Sequence, residues 1–182
     1  MGKEKCAIKL DISKAFDTVK WSFIIYVLQA MGLPAQFIHW IRKASLSPYL
    51  YVILNNVLSK LLNEAAEAGV FAYHPQCNQV KLTHLSFADD ILVFTNGTTE
   101  SLLGVLETMK RFATMYGLHI NASKSSIYAS GSDVSSLVAT AEALHVGVGT
   151  LPIRYLGMPL TTKSLTNHDY EPLIDKIRNR ML

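Results

Sequence analysis

Cysteine is scarce in this chain: Cys6 and Cys77 are the only two in 182 residues. Two distant cysteines cannot build a disulfide framework, which excludes the small cystine-rich secreted class and favours a reducing, intracellular setting. Long apolar runs are also missing. None reaches the roughly 20 residues of a membrane span. The N-terminal lysines have no apolar signal core behind them, so the chain is expected to stay inside the cell, nuclear or cytoplasmic. Without a secretory signal, Asn96-Gly97-Thr98 and Asn121-Ala122-Ser123 read as chance matches to the glycosylation triplet. No internal repeat is present, which excludes solenoids and propellers. His74-Pro75-Gln76-Cys77 with nearby His84 follows no standard zinc-ligand spacing. Charge is sparse too, at 17% against 49% hydrophobic residues, the reverse of a disordered composition.

What is present suits one globular domain, or one domain and a piece of another, with ample core material. The formal charge is +3 with a pI near 8.8. That balance is compatible with a nucleic-acid partner but does not require one. Lys3, Lys5, Lys9, Lys14 and Lys20 concentrate early in the chain.

Ala7 to Leu10 is short and apolar and suits a strand that delivers Asp11 at its end. From Thr18 to Met31, the spacing of Trp21, Ile24, Ile25, Leu28 and Met31 predicts a helix, stopped by Gly32-Leu33-Pro34. Ala35 to Lys43 predicts a second helix with Phe37, Ile38 and Ile41 inward. Ser47-Pro48 opens the longest helix, which runs to about Ala68. Phe71 to Lys81 reads as irregular. Thr98 or Thr99 caps a helix closed by Gly117, with Leu102, Val105, Leu106, Met109, Phe112 and Ala113 buried. Leu118 to Ile120 and Ser126 to Ala129 read as strands separated by a polar turn. Asp133 to His145 predicts a helix capped from Ser132, Ile153 to Leu156 a strand, and Asp169 to Leu182 a last helix. The order is not a regular βαβ alternation. It predicts an α+β fold in which an antiparallel sheet is backed by helices.

Two acidic clusters stand out. Leu85-Ser86-Phe87-Ala88-Asp89-Asp90-Ile91-Leu92-Val93-Phe94 reads as two short strands with the aspartates at the hairpin turn. Asp is an ordinary turn former, so this stretch alone has a purely structural explanation. The second cluster lies far upstream, in Lys9-Leu10-Asp11-Ile12-Ser13-Lys14-Ala15-Phe16-Asp17. A sheet can bring a strand-end Asp beside a hairpin turn. Asp11, Asp89 and Asp90 then form a set able to hold two divalent ions about 3.5–4 Å apart, as nucleotide polymerisation requires. Asp11-Ile12-Ser13 lacks the second Asp of a phosphotransferase Asp-x-Asp loop.

The wording of these clusters resembles the reverse transcriptases of LINE-type, non-LTR retrotransposons, those of plants above all. Residues 9–17 resemble motif A, 87–90 motif C, 117–125 motif D and 155–160 motif E. The resemblance implies a partial polymerase palm over residues 1–160 and the truncated start of a thumb over 161–182, with the fingers and most of the thumb absent. It implies RNA-directed DNA synthesis with an RNA template, a DNA primer, deoxynucleoside triphosphates and two Mg2+ ions, replaceable by Mn2+ in vitro. Asp11, Asp89 and Asp90 would be the metal-binding carboxylates. Phe16 would lie under the incoming sugar as a gate against ribonucleotides; a packed aromatic is the structural alternative. Asp17 reads as a helix N-terminal acid. Lys124 would approach the triphosphate and protonate the leaving pyrophosphate; a solvated loop lysine is its alternative. Leu156 and Gly157 would belong to the hairpin that grips the primer, and an apolar strand end before a turn glycine accounts for them equally well.

The family pattern is broken at one internal place. Motif B normally carries an Arg-Gly and a Gln-Gly shortly before Leu-Ser-Pro-Tyr-Leu. Here Trp40-Ile41-Arg42-Lys43 runs directly into Ala44-Ser45-Leu46-Ser47-Pro48-Tyr49-Leu50, leaving a motif B remnant at 46–50. A chain lacking that segment keeps its carboxylates but loses groups that position substrates, so an inactive retroelement remnant with weak nucleic-acid binding is the alternative reading.

Overall fold

The computed structural model describes residues 4–13, 20–43, 47–131, 134–155, 158–160 and 166–181. The chain forms two compact units, Met1–Val148 and Gly149–Leu182. In the first, the elements in order are β1 (Lys5–Asp11), α1 (Trp21–Ala30), α2 (Ala35–Lys43), α3 (Ser47–Glu67), β2 (His84–Phe87), β3 (Asp90–Thr95), α4 (Thr99–Tyr116), β4 (Ser126–Ser130), α5 (Ser135–Ala143) and β5 (Gly147–Val148). The fold is α+β, with a five-stranded sheet in the order β2-β3-β1-β4-β5. The expected antiparallel sheet is in fact mixed, because β4 and β5 run parallel while the other pairs are antiparallel.

The central strand β1 alternates along its length. Cys6, Ile8 and Leu10 are buried, while Lys5, Ala7, Lys9 and Asp11 are half-buried on the other face. Ile91 and Val93 of β3 join the first set. The helices cover that face with Ile24 and Leu28 from α1, Leu54, Leu58 and Leu62 from α3, and Leu102, Val105, Met109 and Phe112 from α4. Lys9 and Asp11 lie on the opposite face, pointing away from the helices.

Helix α4 follows its sequence signals closely. Thr98 caps it by accepting from Ser101 N at 3.3 Å, and Gly117 closes it at φ 85° with its N–H on Ala113 O. Leu106 is only partly buried, the one shortfall on the predicted face. Gly104 is a close-approach glycine. A Cβ there would run into the carbonyl of Val70, so only glycine lets α4 lie against the chain leaving α3. Helix α1 is tied to the end of α4: Lys20 N donates to Tyr116 O at 3.0 Å, and the Phe23 ring meets Tyr116 edge-on at 4.4 Å.

Four expectations need correction. Phe37 of α2 was expected inward with Ile38 but is 44% exposed, while Ile38 is buried as expected. Leu118 to Ile120 is not a strand but a single antiparallel bridge between Ile12 and Ile120, because β4 occupies the rest of that edge of β1. Helix α5 begins at Ser135 with Val134 as its N-cap and no side-chain cap; Ser132 and Asp133 lie outside the described residues. Finally, the hairpin turn is Ala88-Asp89 and not the aspartate pair, since Asp90 already pairs with Phe87 and opens β3.

In the second unit, β6 (Ile153–Tyr155) and β7 (Met158–Leu160) form an antiparallel hairpin with Ile153 opposite Leu160 and Tyr155 opposite Met158. Helix α6 (Asn167–Met181) follows, with Pro172 inside it. Among the described residues no helix is long and apolar enough to cross a membrane.

Candidate active site

Asp11 is the last residue of β1, and its backbone is held on the edge away from β3. Its N–H donates to Ser125 Oγ at 3.2 Å, and its carbonyl accepts from Asn121 N at 2.8 Å. Ser125 is fully buried, and its hydroxyl donates onward to Asn121 O at 2.8 Å. The segment just before is stitched to the same strand end, with Ser13 N donating to His119 O at 2.9 Å. The turn over residues 121–125 is thus fastened to the residue that carries the first of the candidate carboxylates.

On the other side β3 brings in the second cluster. The register sets Asp11 opposite Asp90, and Ile12 N donates to Asp89 O at 3.3 Å. A bond between the residues flanking a cross-strand pair marks that pair as non-hydrogen-bonded. Side chains of such pairs stand closest, with Cβ atoms about 4.5–5.5 Å apart. Two carboxylates facing each other this closely oppose the stability of the sheet. Lys9 shares their face two residues before Asp11, and its ammonium lies 3.1 Å from Asp90 Oδ1.

The turn itself is strained. Ala88 has φ +49°, the only positive φ in the Ala88-Asp89 turn, which is the pattern of a type II′ hairpin that normally takes glycine at this position. It leaves Asp89 exposed at the tip.

The edge strand β2 is positioned by a polar ladder from α3. Ser86 Oγ donates to Asn55 Oδ1 at 2.8 Å, His84 Nε2 lies 2.9 Å from Ser59 Oγ, and Thr83 Oγ1 donates to Asn63 Oδ1 at 2.6 Å. Asn55, Ser59 and Asn63 recur every four residues and so line one face of α3. Burial holds the His84 pKa below its ordinary value, which keeps the imidazole neutral.

Of the residues singled out from the sequence, Asp11 and Asp90 face each other at one end of the β1–β3 pair, with Asp89 the adjacent turn residue. Lys124 ends a 3-10 turn (Ala122–Lys124) and is exposed, on the segment hydrogen-bonded to Asp11. Phe16, Asp17, Leu156, Gly157 and the join at Ala44 to Leu46 lie outside the described residues. Sequence reasoning passed over Lys9, Ser125 and the α3 ladder. For Lys9 the signal was there: Lys-x-Asp on a strand puts both charges on one face. Ser125 and the ladder gave none, since their partners are distant in sequence.

Among the described residues no group of three or more His, Cys, Asp and Glu converges tightly enough to hold a metal by itself. The donor set nevertheless suits magnesium. Hard carboxylate oxygens are present, and Mg2+ is usually held by one or two carboxylates together with substrate phosphates and water, not by a cage of side chains. The facing pair Asp11 and Asp90, like charges in a register that packing alone would avoid, is the feature that calls for a cation.

A family model described as reverse transcriptase (RNA-dependent DNA polymerase) matches residues 1–160, a span that runs from β1 through the β6–β7 hairpin, and the chain belongs to the reverse transcriptase family.

Proposed function

We propose that this chain supplies the palm of an RNA-directed DNA polymerase that adds deoxynucleotides to a DNA primer on an RNA template. The observation that carries the reading is the β1–β3 register, which sets Asp11 opposite Asp90 and next to the turn residue Asp89. Asp11, Asp89 and Asp90 would hold two Mg2+ ions, with Mn2+ as a substitute in vitro. Bound there, such ions supply activation of the primer 3′-hydroxyl and charge stabilisation on the triphosphate. The chain's own residues do the rest. Ser125 and Asn121 fix the backbone of Asp11, and the α3 ladder fixes the strand that leads into the Asp89 turn. Lys124 would carry the proton for the departing pyrophosphate. Phe16 would exclude a 2′-hydroxyl beneath the sugar, and Leu156 and Gly157 would hold the primer end.

The motif wording supports a LINE-type, non-LTR element of plant origin, with the palm over 1–160 and the start of a thumb over 161–182. A template of nucleic acid and two free cysteines go with an intracellular site of action.

One observation favours a second reading. Only residues 44–46 separate α2 from α3, which leaves no room for the Arg-Gly and Gln-Gly part of motif B. Polymerase catalysis depends on positioning as much as on metal. In this reading the chain is a retroelement remnant that binds nucleic acid weakly and does not polymerise. Primer extension on an RNA template with Mg2+ or Mn2+ separates the two. Incorporation that Asp89→Asn abolishes supports the polymerase. A folded wild-type chain that extends no primer supports the remnant.

A further inference from the structure

We infer that Lys9 is a resident cation of the aspartate pair, a positioning residue that competes with a divalent ion for Asp90. The inference rests on the polymerase reading of the same site. Asp11 and Asp90 face each other in a non-hydrogen-bonded register, the closest that two cross-strand side chains come. Without a cation between or beside them, this is a like-charge contact that destabilises the sheet. Lys9 answers it from the same strand face, with Nζ 3.1 Å from Asp90 Oδ1. Its cross-strand neighbour is Leu92, which is fully buried. That gives the lysine methylenes an apolar seat while the ammonium reaches the carboxylate.

A divalent ion drawing on Asp90 has to displace this ammonium or bind beside it. Either way Lys9 lowers the affinity for the metal. Lys9 and Asp90 are 28% and 37% exposed, so water screens the pair and the competition is modest. An ion pair with a purely architectural role predicts the opposite sign: its removal would loosen the aspartates and weaken metal binding, or leave it unchanged.

The test titrates the full chain with Mn2+ and reads the free ion by electron paramagnetic resonance, with folding of each variant checked by circular dichroism. Lys9→Met and Lys9→Gln are expected to bind Mn2+ about three- to tenfold more tightly than wild type. Mn2+ is also expected to raise the melting temperature more in these variants than in wild type. Asp11→Asn removes the site in either background. Binding seen only in the Lys9 variants supports the inference further, since it means that the ammonium excludes the ion. Equal or weaker binding in the Lys9 variants, with wild-type binding that Asp11→Asn removes, overturns the role of Lys9 and leaves the polymerase reading standing. No Asp11-dependent binding in any form overturns both. If Lys9→Met does not fold, the comparison stands on Lys9→Gln, which keeps a polar head of similar reach.

Discussion

Ser59 Oγ lies 2.9 Å from His84 Nε2, across the contact between α3 and the strand that leads to the Asp89 turn. The neighbouring bonds settle which nitrogen carries the proton. Thr83 Oγ1 donates its hydrogen to Asn63 Oδ1, so it can only accept from His84 Nδ1 at 2.7 Å. Nε2 is then the acceptor for the Ser59 hydroxyl. That assignment holds for the neutral imidazole, the form that burial favours by holding the His84 pKa below its ordinary 6.5. His74 is shifted the same way, by burial first and by the charge of Lys5 second. As pH falls through about 6.5, the unfolded chain takes up protons that the folded chain refuses, so stability declines from there down to the folded pKa values. Urea midpoints measured from pH 7.5 to 5.5 should fall with pH, and His84→Gln should flatten part of that slope. A midpoint independent of pH in this window would show that the two histidines are not neutral in the fold.

Ser125 joins two segments through one hydroxyl. Ser125→Ala leaves the half-buried Asp11 N–H without its acceptor, whereas Asn121 O keeps the backbone bond from Ser125 N at 3.0 Å. The expected loss is about 1–3 kcal/mol of folding stability. Chemical denaturation checks it, and an unchanged midpoint would mean that the hydroxyl does not tie the turn to Asp11.

Ala88 offers a test of turn strain. An L-residue at φ +49° gives up about 1–2 kcal/mol. Glycine relieves this but loses about 0.5–1 kcal/mol of backbone freedom on folding. Ala88→Gly should therefore stabilise the chain slightly, by up to about 1 kcal/mol, and Ala88→Val should destabilise it. Melting temperatures in the order Gly, Ala, Val confirm the turn conformation; Val equal to or above Ala would rule it out.

The two thiols should differ sharply in reactivity. Burial pushes Cys6 up to about 12, partly offset by hydrogen bonds with the Tyr128 backbone and the Thr95 side chain. At pH 8 its thiolate is then on the order of one part in ten thousand. Cys77 is half-buried, and burial raises its thiol pKa as well. A thiol reagent on the native chain should modify Cys77 and spare Cys6 until denaturant is added. Equal labelling of both, read by mass spectrometry, would show that β1 opens readily.

Local sequence chemistry decided most of the elements. Thr98 and Gly117 bound α4, Gly32 stops the chain after α1, and alternation along β1 chose which face meets the helices. These signals work because caps, left-handed glycines and side-chain period act within a few residues. The Asp11 and Asp89-Asp90 clusters were legible for the same reason, as short motifs. Two aspects were not. Phe37 sits at a helical spacing that suits a core, yet Ile38 occupies the buried position and Phe37 faces outward, because the orientation of α2 is set by what it packs against. The pairing of Asp11 with Asp90, the reach of Lys9 to Asp90 and the bond from Asp11 to Ser125 join positions far apart in the chain. The sequence by itself supplied the carboxylates and the family. Only the tertiary structure chose the register, and in a sheet a one-residue slip would send Asp90 to the opposite face.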